Sequence, residues 1–244
     1  MLDAVLWDYD GTLADSYEKN YSVTLDVLKK GVPRLHKELP AALESVDTFF
    51  KAVTAYEDWR RLYTECYGMT SEETELAGRL WEPCQRESTL IAPLYDGVGE
   101  LLKRYKDRKQ GIVSQNSGEE ILKAFSLNGL DGCAGYVCGY TDVPQFSPKP
   151  SPVPFLKCAE MLGIKPFEDT IVYIGDHEED VLFVRNIRRY YAEKYNAKIR
   201  IFSVAVSYSG SNPRAWKNQP DYQAHSIAEL GEVLRRIDND EIIK

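Results

Sequence analysis

Residues 4–13 read Ala4-Val5-Leu6-Trp7-Asp8-Tyr9-Asp10-Gly11-Thr12-Leu13. Four apolar residues run straight into two carboxylates and a glycine. An apolar run with no polar face predicts a strand covered on both sides, as in a parallel sheet flanked by helices. The pattern returns along the chain. Gly111-Ile112-Val113 leads into Ser114, and Thr170-Ile171-Val172-Tyr173-Ile174 leads into Gly175-Asp176. Tyr136-Val137-Cys138 and Ile199 to Val206 read as two further strands. Apolar stripes of helical period lie between them: Val98, Leu101, Leu102 and Tyr105, then Ile121, Leu122 and Phe125, then Phe155, Leu156, Ala159 and Leu162. This alternation predicts an α/β fold with a doubly wound, Rossmann-like parallel sheet.

Residues 16–92 break the alternation and contain no convincing strand. Tyr17, Tyr21, Leu25 and Leu28 share one helical face, and Val46, Phe49, Phe50, Val53 and Tyr56 share another. Trp59, Leu62, Tyr63 and Cys66 continue it. The segment reads as a helical insert, with residues 1–15 and 93–244 forming the core and Pro93-Leu94-Tyr95-Asp96-Gly97 the return turn.

The composition narrows the function. Of 244 residues, 43% are hydrophobic and 28% charged, as expected for a globular chain rather than a disordered one. Thirty basic against 38 acidic residues leave a net charge of −8, which argues against a general nucleic-acid or anionic-membrane binder. It leaves room for an anionic small substrate, since a local pocket can oppose the global sign. No apolar run approaches the ~20 residues of a membrane helix. The start, MLDAVLWDYDGTL, lacks the basic-then-apolar pattern of a secretion signal, so a cytoplasmic location is expected. Five cysteines at irregular spacing, with no CxxC, read as reduced thiols rather than a zinc site or dithiol.

Polar residues gather where strands deliver their carboxyl ends, the ligand edge of an open α/β sheet. Asp8 and Asp10 can face one point if the chain turns at Gly11, whose amide can face an anion. Two such acids call for a cation or a shared proton, and an all-oxygen set suits Mg²⁺. Asp176 and Asp180 are spaced to share one side of a starting helix. Ser114 and the amides after it can hold phosphate oxygens, and Lys149, between Pro148 and Pro150, can aim an ammonium inward. Each signal alone has a plain structural reading: a turn, a helix cap, a solvated lysine.

Together, in this order, they resemble the haloacid dehalogenase superfamily, in its phosphatase branch and most nearly its phosphoglycolate phosphatase-like members. The resemblance implies the following roles. Asp8 would be the nucleophile that becomes an aspartyl-phosphate, and Asp10 the acid and base serving leaving group and water. Asp8, the main-chain carbonyl of Asp10, and Asp176 would hold Mg²⁺, with Asp180 ligating it or orienting its water. Ser114 and Lys149 would bind the phosphoryl group with amides of Tyr9, Gly11 and Gln115. The insert would be a helical cap of the first class, closing over the substrate.

The family's dehalogenating and phosphonate-cleaving members lack an acid two residues after the nucleophile, so Asp10 favours a phosphate ester. The expected function is therefore a Mg²⁺-dependent phosphomonoester hydrolase acting on a small phosphorylated metabolite, such as phosphoglycolate or a sugar phosphate, as a monomer or homodimer. Alternatives are a sugar phosphomutase and a non-catalytic phosphate-ligand-binding protein. Gln115 stands where the family more often has Asn. His177 is expected to face solvent, and His36 and His225 carry no motif. Arg60, Arg61 and Arg86 are candidate anion contacts in the insert. The basic-aromatic stretch 185–200 reads as a solvated helix or self-association surface rather than a nucleic-acid face.

Overall fold

The computed structural model describes residues 1–56, 58–144 and 147–241. They form two compact units, Met1–Ala14 with Leu94–Lys244, and Asp15–Pro93. After β1 (Ala4–Trp7), the second unit runs through α1 (Tyr17–Gly31), α2 (Pro33–Lys37), α3 (Val46–Ala55), α4 (Trp59–Arg61) and α5 (Ser71–Glu87), with a wide helical turn at Leu62–Cys66 after α4. The first unit resumes with α6 (Val98–Arg104), β2 (Lys109–Val113), α7 (Gly118–Leu127), β3 (Tyr136–Cys138), α8 (Val153–Leu162), β4 (Thr170–Gly175), α9 (Glu178–Tyr195), β5 (Arg200–Val206), β6 (Tyr222–Ala224) and α10 (Ile227–Asp238).

The six strands are all parallel, in the order β3-β2-β1-β4-β5-β6. The chain winds outward from β1 on one side, then returns to lay β4 on the other. This is the doubly wound α/β fold, and β1 is where the order reverses. Every residue of β1 and β4 is buried, as their apolar runs require. On one face Leu6, Val113, Phe155, Tyr173, Phe183 and Ile187 belong to a continuous core. The sixth strand was not expected: three residues with only Ala224 fully buried give no periodic signal.

The second unit has its own apolar core. Val23, Val27 and Leu28 of α1 meet Phe49 of α3, Leu62 and Tyr63 of the wide turn, and Ala77 and Cys84 of α5. Leu25, expected on the inner face of α1, is only half-buried; the buried stripe runs instead through Lys19, Val23, Thr24, Val27 and Leu28. The helix ends are satisfied locally. Thr70 accepts from the Glu73 amide while Glu73 accepts from the Thr70 amide, a reciprocal cap that starts α5. All five cysteines are free thiols. Among the described residues no helix is long and apolar enough to cross a membrane.

The chain leaves and re-enters the first unit side by side. Ala14 bridges Leu94, and the Tyr95 amide donates to the Leu13 carbonyl at 3.0 Å. Within the second unit the Asp15 amide donates to the Pro93 carbonyl at 2.8 Å.

Candidate active site

β1 ends at Trp7, yet the Asp8 amide still donates to the Ile174 carbonyl at 2.8 Å, which holds Asp8 at the sheet edge beside β4. The chain then folds back: the Tyr9 carbonyl accepts from the Leu13 and Ala14 amides at 2.9 and 3.0 Å. Gly11 sits at φ +71°, and a Cβ there would stand 2.1 Å from Asp176 Oδ2. Glycine is therefore required twice, for the left-handed backbone and for the approach of Asp176. The Gly11 amide, expected to face an anion, instead donates to the Ala14 carbonyl at 2.8 Å. Its contribution is room rather than a donor.

β4 delivers Asp176 to the same edge, where Ser209 Oγ donates to its Oδ2 at 2.9 Å. Asp180 lies in the first turn of α9, and its Oδ2 accepts from the His177 amide at 3.1 Å. A Cβ on Gly175 would meet that carboxylate at 2.1 Å. Asp176 precedes the helix rather than sharing its face with Asp180. The two acids converge because the turn between strand and helix is tight.

Lys149 enters from the loop before α8 and is buried to 6% exposure. Its ammonium donates to Asp8 Oδ1 at 2.7 Å, to Asp180 Oδ1 at 2.7 Å and to the Tyr173 hydroxyl at 3.0 Å. Burial pushes the Asp8 carboxyl well above the usual carboxylate range; Lys149 pulls it back, and the Asp180, Asp176 and Asp10 charges add to the rise. Burial also works against the Lys149 charge, but Asp180 and Asp8 outweigh it and hold the ammonium well above its ordinary range.

The Asp10 carboxylate is held separately. Asn116 Nδ2 donates to both its oxygens, at 3.1 and 3.2 Å, and Ser114 Oγ approaches Oδ2 at 3.5 Å. Ser114 Oγ also accepts from the Asn116 amide at 3.0 Å. Ser114 is not the cap of α7, which begins at Gly118 behind Ser117. The Gln115 side chain turns to Glu179 Oε2 at 2.7 Å.

Asp8, Asp176 and Asp180 are buried and offer carboxylate oxygens within 4.8 Å of one another. Lys149 bonds two of the three, Asp8 and Asp180, and the hard all-oxygen donor set fits a small divalent cation such as Mg²⁺. The Asp10 carboxylate is not part of this cluster; the expectation for Asp10 concerned its main-chain carbonyl.

The other candidates make contacts of their own. His177 caps α9, its Nδ1 accepting from the Glu179 amide at 3.3 Å. His225 pairs with Ser207 at 2.6 Å on the surface. Arg60, Arg61 and Arg86 form ion pairs with Glu75, Glu65 and Glu82. In the basic-aromatic stretch, Arg185 reaches Asn218, Arg188 reaches Asp221, and Tyr190, Tyr191 and Tyr195 pack on one another. These contacts tie the stretch to its own unit. Asn116, Tyr173 and Ser209 were missed by sequence reasoning. Tyr173 reads as one more core aromatic, and the other two have only their polarity to mark them.

A family model described as haloacid dehalogenase-like hydrolase matches residues 2–188. Pyrophosphatase PpaX of Halalkalibacterium halodurans is 28% identical over 235 residues, covering 96% of this chain and 97% of that protein. Among solved structures, a provisionally named haloacid dehalogenase-like hydrolase of Bacteroides fragilis superposes with a TM-score of 0.73 at 18% identity, covering 94% of this chain and 100% of that one. A Lactobacillus plantarum protein provisionally named a phosphoglycolate phosphatase gives 0.68 at 18% identity, with coverage of 96% and 100%.

Proposed function

The chain belongs to the haloacid dehalogenase-like hydrolases, and from that premise we propose that it is a phosphatase cleaving small phosphate esters through an aspartyl-phosphate. The observation that carries this reading is the convergence of Asp8, Lys149, Asp176 and Asp180 at the point where the sheet reverses, with Asp10 held beside them.

With Oδ1 on Lys149, Asp8 attacks phosphorus through Oδ2. An aspartyl O–P bond forms, the ester P–O bond breaks, and the leaving oxygen takes the Asp10 proton. Water then attacks phosphorus, its proton passes to Asp10, and the aspartyl O–P bond breaks to release phosphate. Lys149, the Ser114 hydroxyl and the Tyr9 and Gln115 amides neutralise and orient the phosphoryl oxygens. Asp8, Asp176, Asp180 and the Asp10 carbonyl would hold Mg²⁺, which when bound supplies the positive charge that lets a carboxylate approach a phosphate dianion. Asp10 favours leaving groups that need a proton, so an alkyl phosphate is preferred over pyrophosphate.

The test is a panel of phosphorylated metabolites, including phosphoglycolate, sugar phosphates and pyrophosphate, with purified protein and Mg²⁺, reading released phosphate. Wild-type protein is expected to release phosphate from at least one ester, and Asp8→Asn from none. Rearranged ester without free phosphate would point to a phosphomutase instead, and no turnover of any compound would sink the reading.

A further inference from the structure

Tyr173 lies in the middle of β4 and is 1% exposed. Its ring packs edge-on against Phe183 with centroids 5.0 Å apart, a contact phenylalanine would make as well. The hydroxyl is what the core does not need. It makes three contacts: Lys149 Nζ donates to it at 3.0 Å, and it lies 3.1 Å from the Val113 carbonyl and 3.2 Å from Asp180 Oδ1, either of which accepts its single proton. Val113 ends β2, two strands away in the sheet, and immediately precedes Ser114. One phenolic oxygen thus joins the end of β2, the Lys149 loop and the first turn of α9.

We propose that Tyr173 is a positioning residue for Lys149: its hydroxyl accepts the third N–H of the ammonium and so fixes where the positive charge stands beside Asp8, against the transferring phosphoryl group. This rests on the phosphatase reading, in which Lys149 meets the transferring group. A lysine stem has four rotatable carbons. Two carboxylate partners leave the ammonium free to pivot about the line between them, and a third fixed partner stops the pivot.

Tyr173→Phe removes only the oxygen. It should fold as wild type by circular dichroism, lose about tenfold in kcat/KM on the best ester with kcat falling more than KM rises, and bind inorganic phosphate in Mg²⁺ about tenfold more weakly by calorimetry. Phe183→Leu perturbs the same packing without touching the hydroxyl and should leave both values near wild type. Wild-type values in Tyr173→Phe, or an equal loss in Phe183→Leu, would overturn the proposal while leaving the phosphatase reading intact. If wild type binds phosphate but cleaves no ester, that reading fails and the binding arm still decides the role of Tyr173. If it neither binds nor cleaves, both fall.

Discussion

Asn116 pins Asp10 because its own amide group is pinned: Oδ1 accepts from the Ser117 amide at 2.7 Å, which leaves Nδ2 to face the carboxylate. Asn116→Ala should therefore act through proton delivery, costing an alkyl phosphate about tenfold more in kcat than p-nitrophenyl phosphate, whose leaving group needs no proton. Equal losses on the two substrates would remove Asn116 from that role. Ser209→Ala should weaken Mg²⁺ binding by about tenfold, seen as a raised half-saturation in turnover and in direct calorimetry, because Asp176 loses the hydroxyl that orients it. Asp8, Asp10, Ser114 and Asp176 could be picked out beforehand because acids and hydroxyls at the ends of apolar runs are conspicuous, and Lys149 and Asp180 only in combination with them. Asn116, Tyr173 and Ser209 could not, since their partners lie far away in sequence and only the folded register brings them together. The Gly11 amide was misjudged for a related reason: turn chemistry used the donor first.

At the scale of elements, the turn from β4 into α9 is under the tightest constraint. Gly175→Ala would place a methyl 2.1 Å from Asp180 Oδ2, so the helix start must move. The expected result is lower thermal stability together with lost turnover, checked by calorimetric melting and phosphate release. In α5, the Arg34 hydrogen bond lowers Glu73 from its ordinary 4.5 to about 2. A carboxyl depressed on folding contributes stability above its unfolded value and loses it as pH falls toward the folded one. Glu73→Gln should thus flatten the fall in melting temperature between pH 4.5 and about 2. An unchanged acid limb would show that the cap contributes nothing measurable. Elements with unbroken apolar runs, such as β1 and β4, were plain in the sequence. β6 was not, for want of alternation. The inner face of α1 was misplaced because Tyr17 and Tyr21 are half-buried, while Lys19 and Thr24, polar in type, lie on the buried stripe.

For the whole molecule, three carboxylates gathered from just after β1, just after β4 and the first turn of α9 repel one another only once the chain has folded. A cation that binds the native state alone adds stability by mass action, about 2.7 kcal/mol at a hundred times its dissociation constant. Melting temperature should rise with Mg²⁺ and fall back with EDTA. Asp176→Asn should melt higher than wild type without Mg²⁺ and lose most of the rise; a wild-type response in that variant would contradict the cluster. The class of fold could be read from alternating strands and helices, but the order β3-β2-β1-β4-β5-β6 could not, because pairing between distant strands leaves no local mark. The paired exits at Ala14–Leu94 and Asp15–Pro93 carry a consequence for how such a protein can change. A segment spliced in through neighbouring doorways behaves as a replaceable cassette. Evolution or an engineer can lengthen it, shorten it or trade it for another while the acids of the first unit stay in register.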